Sequence, residues 1–305
     1  MIMDLITLKD WTSEELQATL DEAMDVKDHP DLYRQSLVGQ SLGMLFQKTS
    51  TRTRTSFEVG MTQLGGHAVY LDWRSTNFTL ADIGDEAQVL SRYVDGIVAR
   101  MMRHDDLLDL ASGSEVPVIN GCCDRYHPCQ AVGDLLTIRE VAGKLDGAHL
   151  VYAGIRNNVC NSLIAACIKT GVRITVVAPE VNPASDDPEL MEAARESGLF
   201  AETLDLVAAA ADADFLYTDT WIDMEFFEDD SFREERERRI AAFTPYQINE
   251  SLLEKSDAYV MHCLPAHKGY EVTAGVMASE RSIVIDQAEN RLHAQKAILM
   301  RSMGA

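Results

Sequence analysis

The sequence predicts an α/β protein with two doubly wound parallel-sheet domains joined by helices. Three observations carry that prediction. Short apolar runs alternate with helical stretches, as where "SLGMLF" is followed by "TSFEVGMTQLG". The rhythm pauses once, over a long helical pattern starting at His127, and then restarts. The chain has 305 residues, more than one compact core usually holds, so the pause reads as a join between domains.

The elements follow in order. "TSEELQATLDEAMDVK" predicts a helix, with Thr12 and Glu15 in a capping-box pattern and Leu16, Leu20 and Met24 on one face. Strands are expected at "LGMLFQ", "HAVYLD", "GIVARMM" and "VPVING", with helices between them at "FEVGMTQLG", "DEAQVLSRYV" and "DDLLDLA". The joining helix covers "CQAVGDLLTIREVAGKLDG" and ends at Gly143 or Gly147. The second half reads as strand "AHLVYAGI", helix "NSLIAACIKTG", strand "VRITVVAP" and helix "DPELMEAARESG". Strands at "DFLYTDTW", "AYVMHCL" and "RSIVID" come next, and a helix over "AENRLHAQKAILMRSM" closes the pattern. The most charged stretch, Glu225 to Arg239, reads as a solvated loop and helix face, and its length also admits a mobile lid.

Composition excludes several classes. A net charge of −22 argues against wrapping nucleic acid. No run of about 18 apolar residues predicts a membrane span. The start, "MIMDLITLKDWTSEEL", lacks the basic n-region of a signal peptide. Eight lysines against nineteen arginines give an acid-rich, lysine-poor surface, which fits a saline medium or plain solvation. The six cysteines have no C-x-x-C spacing, so a reducing, cytoplasmic compartment is expected and no metal site is.

In open parallel sheets, ligands bind at the carboxyl ends of strands. Six polar clusters fall at six such ends: "KTSTRTR", "RMMRH", "DRYHPCQ", "GIRNNVCNS", "YTDTWIDM" and "HCLPAH". The first places hydroxyls and guanidinium groups where a strand hands over to a helix, which suits a phosphate. Ser50, Thr51, Arg52 and Thr53 are its expected ligands. Arg100 can reach the same ligand, and His127 and Gln130, three residues apart, face one side to hold a carbonyl oxygen and an amide. Neither a Ser-His-Asp nor a Cys-His pair is evident, so the attacking group is expected on a second substrate, held by Asn157, Asn158, Asp219 and Cys263.

"STRTR", "HPCQ" and "HCLP" together resemble the aspartate/ornithine carbamoyltransferase family, over nearly the whole chain from "TLKDW" to "ENRLHAQKA". The resemblance implies transfer of the carbamoyl group of carbamoyl phosphate to an amine, with release of phosphate. It implies a carbamoyl phosphate domain over 1–140, an amine or ornithine domain over 141–286, and a C-terminal helix about 287–305 packing back on the first. It also implies trimers or multiples of trimers, and no metal or organic cofactor. Ser50, Thr51, Arg52 and Thr53 resemble the phosphate loop. Arg100, His127 and Gln130 resemble the carbamoyl ligands, and Arg291 the arginine that completes that site. "HCLP" is similar to the ornithine branch, which places Cys263 and the Leu264 carbonyl beside the reacting amine. Asn157, Asn158 and Asp219 resemble ligands of the amino acid, and citrulline is then the product. Arg52, Arg100, His127 and Cys263 are the residues expected to serve the chemistry.

Two stretches depart from the ornithine pattern. In "TDTWIDMEFFEDD" Met224 is kept, but Asp223 and Glu225 replace the Ser and Gly of the usual "SMG" loop. A carboxylate at 223 favours an ammonium and disfavours a substrate carboxylate. "STNFTLADIGDEA" also differs, in a loop that often reaches a neighbouring subunit's site. The acceptor is therefore open between ornithine and another amine, such as the diamine putrescine. A non-catalytic metabolite-binding regulatory protein is a further reading, opposed by the intact Arg52, Arg100, His127, Gln130 and Arg291. A dinucleotide-dependent dehydrogenase is excluded, since no G-x-G-x-x-G follows a strand.

Overall fold

The computed structural model describes residues 3–222, 227 and 229–304. Two parallel sheets organise it. The first contains β1 (Ser41–Phe46), β2 (His67–Asp72), β3 (Gly96–Arg100) and β4 (Val118–Cys122), in the order β2-β1-β3-β4. The second contains β5 (His149–Ala153), β6 (Arg173–Val177), β7 (Phe200–Glu202), β8 (Phe215–Thr218) and β9 (Tyr259–His262), in the order β7-β6-β5-β8-β9. Every pairing is parallel. Strand order reverses between β1 and β3 in one sheet and between β5 and β8 in the other. Those reversals open the crevices where such sheets take ligands.

The helices follow from local chemistry. In α1 (Ser13–Asp28) the Thr12 hydroxyl accepts from the Glu15 N–H at 3.1 Å and the Glu15 carboxylate accepts from the Thr12 N–H at 2.7 Å, the capping box expected from sequence. The helix expected around Phe57 starts earlier. Extended backbone at Ser50 lets its hydroxyl cap the Thr53 N–H, so α2 spans Thr51–Gln63 and takes Arg52 and Thr53 into its first turn. After α3 (Ile83–Leu90) and α4 (His104–Gly113) comes α5 (Pro128–Ala142). It opens on Pro128 and stops at Gly143, whose φ of +76° is left-handed. The second half adds α6 (Asn158–Thr170), α7 (Pro188–Glu196), α8 (Leu206–Ala210), α9 (Arg233–Phe243), α10 (Glu250–Leu253) and α11 (Ala274–Met277). The final helix, α12 (Val284–Met303), packs on α5, α1 and α2.

The strand expected over "RSIVID" is not formed. Only Ser282 bridges to Val260, and from Val284 the chain is helical. The β-branched run Ile283-Val284-Ile285 mimics a strand, but the Ile283 N–H ends the pairing on the Val260 carbonyl and the chain turns. Much of the charged stretch read as a lid is α9, while 225, 226 and 228 within it, and 223 and 224 before it, lie outside the described residues. Among the described residues no helix is long and apolar enough to cross a membrane.

Candidate active site

A cavity of about 570 Å³ lies between the two sheets, at the carboxyl ends of their strands. On the side of the first sheet it is lined by the α2 N-terminus, Arg100 at the end of β3, and His127 and Gln130 at the start of α5. Arg291 reaches in from α12. Asn158, Asp219, Cys263 and Leu264 line the opposite wall.

The first wall is built for an anion. The N–H groups of Thr51 and Arg52, at the first two positions of α2, have no intrahelical acceptor, and the helix dipole adds positive potential. Lys48, Arg52, Arg100 and Arg291 line the cavity, against Asp219 as its one acidic lining group among the described residues. Two of the guanidinium groups keep a buried donor unsatisfied by protein, at Arg100 Nε and Arg291 Nε. Unpaired buried donors are costly, and an anion between them removes that cost. Arg291 is otherwise held by Gln130 Oε1 and, at 3.4 Å, by the Thr53 hydroxyl. Gly133 allows its stem to lie close to α5, since a Cβ there would sit 3.1 Å from Arg291 Cδ.

His127 is the N-cap of α5, and its N–H donates to the Ser162 hydroxyl at 2.7 Å. The imidazole is buried, and Nδ1 has no partner among the described residues. Burial, then the charges of Arg291, Arg100, Lys48 and Arg52, hold its pKa well below the usual histidine range. The ring is neutral at pH 7, with one nitrogen to donate and one to accept.

The second wall is a chain of hydrogen bonds. The Cys263 thiol donates to Asp219 Oδ1 at 2.9 Å, and Asp219 Oδ2 accepts from Asn157 Nδ2 at 2.7 Å. Burial and the Asp219 carboxylate push the Cys263 thiol well above its ordinary pKa, so it stays protonated. Asn157 sits behind the wall: its Oδ1 caps the N–H groups of Val159 and Cys160, each at 3.1 Å. Asn158 lines the cavity and donates to the Cys123 carbonyl at 2.6 Å. The Leu264 N–H donates to His262 Nδ1 at 2.8 Å, so the His262 proton sits on Nε2, facing Glu271 at 3.1 Å. This locks the turn after β9. Leu264 has φ +59°, uncommon for a bulky residue, and its carbonyl accepts from Arg52 Nη2 at 2.6 Å.

The structure thus brings together Ser50, Thr51, Arg52, Thr53, Arg100, His127, Gln130 and Arg291 on one wall, and Asn158, Asp219, Cys263 and Leu264 on the other. Asn157 supports Asp219 from behind, and Asp223 and Met224 lie outside the described residues. Sequence reasoning did not assign Lys48, Cys122 or Thr220, which also line the cavity. Lys48 stands inside "KTSTRTR" and Thr220 follows Asp219, so adjacency to assigned residues was the available signal. Asp219, His262 and Cys263 place ligand atoms within 4.8 Å of one another, a spacing that admits a metal ion. Here those atoms are committed: the thiol donates to Asp219, and both His262 nitrogens are hydrogen-bonded. A roomier cleft of about 670 Å³ lies between α1, α2 and α12. Two of its cations are already paired, Lys27 with Glu140 and Arg34 with Asp31, so donor chemistry rather than size selects the site.

Comparison with known proteins agrees with this geometry. Residues 3–140 match the carbamoyl-P binding domain of aspartate/ornithine carbamoyltransferase, and residues 146–301 match its Asp/Orn binding domain. An ornithine carbamoyltransferase of Halalkalibacterium halodurans is 47% identical over 97% of this chain and 93% of that protein. One from Haloquadratum walsbyi is 44% identical over 97% of this chain and 96% of its own. Among solved structures, ornithine carbamoyltransferase from Pyrococcus furiosus is 44% identical with a TM-score of 0.91, covering 99% of this chain and 97% of that one. That from Thermus thermophilus is 40% identical with a TM-score of 0.86, covering 98% of each. With both domains matched in order and the cationic wall facing Asp219 and Cys263, the chain belongs to the aspartate/ornithine carbamoyltransferase family.

Proposed function

We infer that the protein is an ornithine carbamoyltransferase. It transfers the carbamoyl group of carbamoyl phosphate to the side-chain amine of ornithine, giving citrulline and phosphate. One observation carries the reading to the site. A wall of guanidinium groups and a helix N-terminus faces a thiol–carboxylate pair, in a chain 44–47% identical to enzymes of that name over almost its full length.

The roles follow from charge. Carbamoyl phosphate lies on the α2 N-terminus, its phosphate held by the N–H groups of the first turn, the hydroxyls of Ser50, Thr51 and Thr53, and Arg52. Arg100 and neutral His127 face the carbonyl oxygen, and Gln130 faces the carbamoyl amide. Arg291 completes the set. The amine, having lost a proton, attacks the carbonyl carbon. A C–N bond forms, the C–O bond to phosphate breaks, the remaining amine proton leaves with the phosphate, and the negative charge on the carbonyl oxygen is met by Arg100, His127 and Thr53. Arg52 neutralises the leaving phosphate. On the opposite wall the protonated thiol of Cys263, the Asp219 carboxylate and the Leu264 carbonyl border the amine. Asn157 and Asn158 steady that wall.

The working unit in this reading is a trimer or a multiple of trimers. Its support is a set of exposed apolar side chains, Val69 on the edge strand β2 and Leu80, Val89 and Tyr93 in the segment that follows it. Light scattering on the purified protein tests it. A reducing, cytoplasmic setting is supported by six free thiols, five of them buried.

The deciding experiment is ureido-product formation from carbamoyl phosphate with ornithine, putrescine, lysine, N-acetylornithine and aspartate, at low and high salt. Ornithine is expected to be preferred. Preference for a diamine would move the acceptor assignment and give Asp223 the selecting role, and no product from any amine would overturn the reading.

A further inference from the structure

We propose that Asp134 is a positioning residue that sets the orientation of two side-chain amides at once, one in the carbamoyl wall of the active site and one behind the amine wall. Asp134 lies on α5 one turn after Gln130 and is wholly buried. Its Oδ1 accepts from Gln130 Nε2 at 2.8 Å and from Gln287 Nε2 at 2.7 Å. Its Oδ2 accepts from the Tyr217 hydroxyl at 3.1 Å. Three donors from α5, α12 and β8 thus converge on one carboxylate.

The consequence is a matter of donors and acceptors. An ionised carboxylate only accepts, so each glutamine must turn its NH₂ toward Asp134 and its oxygen away. The Gln130 oxygen then faces Arg291 Nη1, whose partner nitrogen Nη2 reaches the Thr53 hydroxyl. The Gln287 oxygen faces the N–H of His262 at 2.8 Å, at the head of the turn that carries Cys263 and Leu264. A flipped Gln130 would set NH₂ against guanidinium, donor against donor. A flipped Gln287 would strand the His262 N–H. One carboxylate therefore orients the carbamoyl wall through Gln130 and Arg291, and the amine wall through Gln287 and the turn after β9.

A buried carboxylate is expensive to keep, and an apolar side chain of similar size is commonly as stable or more so. A role limited to packing does not account for it. Asp134 does not line the active-site cavity, so its effect reaches the site through the side chains around it, the two glutamines first.

The inference rests on the carbamoyltransferase reading for its assay, and the two fail differently. If the wild-type protein makes no ureido product, the reading fails. If it turns over and the variant does too, the inference fails. Asp134→Leu keeps a similar volume but removes both acceptor oxygens, so neither glutamine amide is turned by this position. The expected result is a loss of about 10²-fold in kcat/KM, as misplaced catalytic groups cost, with a folded protein and an unchanged or raised Tm. In a Gln130→Leu background the same substitution should raise KM for carbamoyl phosphate far less, because its hydrogen-bonded route to that wall is gone. Wild-type kinetics in Asp134→Leu, a loss explained by a lowered Tm, or a full additional rise in that KM over Gln130→Leu would each overturn the inference. Should Asp134→Leu fail to fold, Gln287→Met decides. KM for the amine should rise while KM for carbamoyl phosphate holds, and a rise in both or in neither overturns it.

Discussion

Arg52 Nη2 donates to the Leu264 carbonyl at 2.6 Å, tying the first turn of α2 to the turn after β9. A residue placed for the phosphate is thereby also a strut between the two walls. The two duties separate by substitution. Arg52→Lys keeps the charge but loses the planar fork, and Arg52→Ala loses both. Steady-state assays should find kcat down by about 10²–10³-fold in Arg52→Ala, the scale of one lost charge-stabilising donor, and a smaller loss in Arg52→Lys. Equal activity of Arg52→Ala and wild type would remove this residue from the site.

His127 is predicted to remain a neutral imidazole across the working pH range, because burial and four neighbouring cations oppose its protonation. Ring-carbon or ring-nitrogen NMR should show no titration of His127 near pH 6.5. The sign for stability follows. An unfolded histidine takes a proton below about 6.5 and the native one refuses it, so the His127 contribution to stability is lost as pH falls below that value. His127→Ala should lower kcat about 10²-fold and flatten that part of the stability profile.

Asp134 carries the opposite stability sign. Burial, partly offset by hydrogen bonds from Gln287, Gln130 and Tyr217 and by the Arg291 charge, raises its pKa to about 6. Tyr217 on β8, Arg291 on α12, Cys167 on α6 and Cys263 after β9 are the titratable groups that interact with it. Below about pH 6 it gains a proton and ceases to be a pure acceptor. The kcat/KM profile should therefore show an acid limb near pH 6, absent from Asp134→Asn. From about pH 6 down to about 4 the native state binds a proton the unfolded chain does not, so this group's contribution to stability grows as activity falls.

The Ser50 hydroxyl caps α2 by accepting from the Thr53 N–H at 3.2 Å. Ser50→Ala should destabilise the protein by about 1 kcal/mol, and Ser50→Gly by only a few tenths. Urea unfolding of the three proteins checks the order. A larger rise in KM for carbamoyl phosphate than the cap loss explains would mark a second role for the hydroxyl, at the phosphate.

The parts legible in the sequence were those whose chemistry is local. "KTSTRTR" carries hydroxyls, cations and a helix start within seven residues, and "HPCQ" places His127 and Gln130 on one turn. The capping box at Thr12 and the stop at Gly143 were equally readable. Short elements were not: β7 has three residues, and α10 and α11 four each, too few to show a period. "RSIVID" read as a strand because β-branched residues favour one, until the start of α12 claimed half of it. Asp134 was invisible for a different reason. In "AVGDLLTIRE" it resembles any polar residue on a helix, and its burial depends on Tyr217 and Gln287, 83 and 153 residues away.

The acidic exterior around a cationic cavity has a kinetic meaning. A carbamoyl phosphate anion approaching a chain of net charge −22 is repelled at long range and attracted only once inside. Added salt screens the distant repulsion sooner than the enclosed attraction, since buried charges are shielded less than exposed ones. The bimolecular rate of capture should therefore climb with ionic strength over the low-salt range, the reverse of ordinary electrostatic steering, before it levels off.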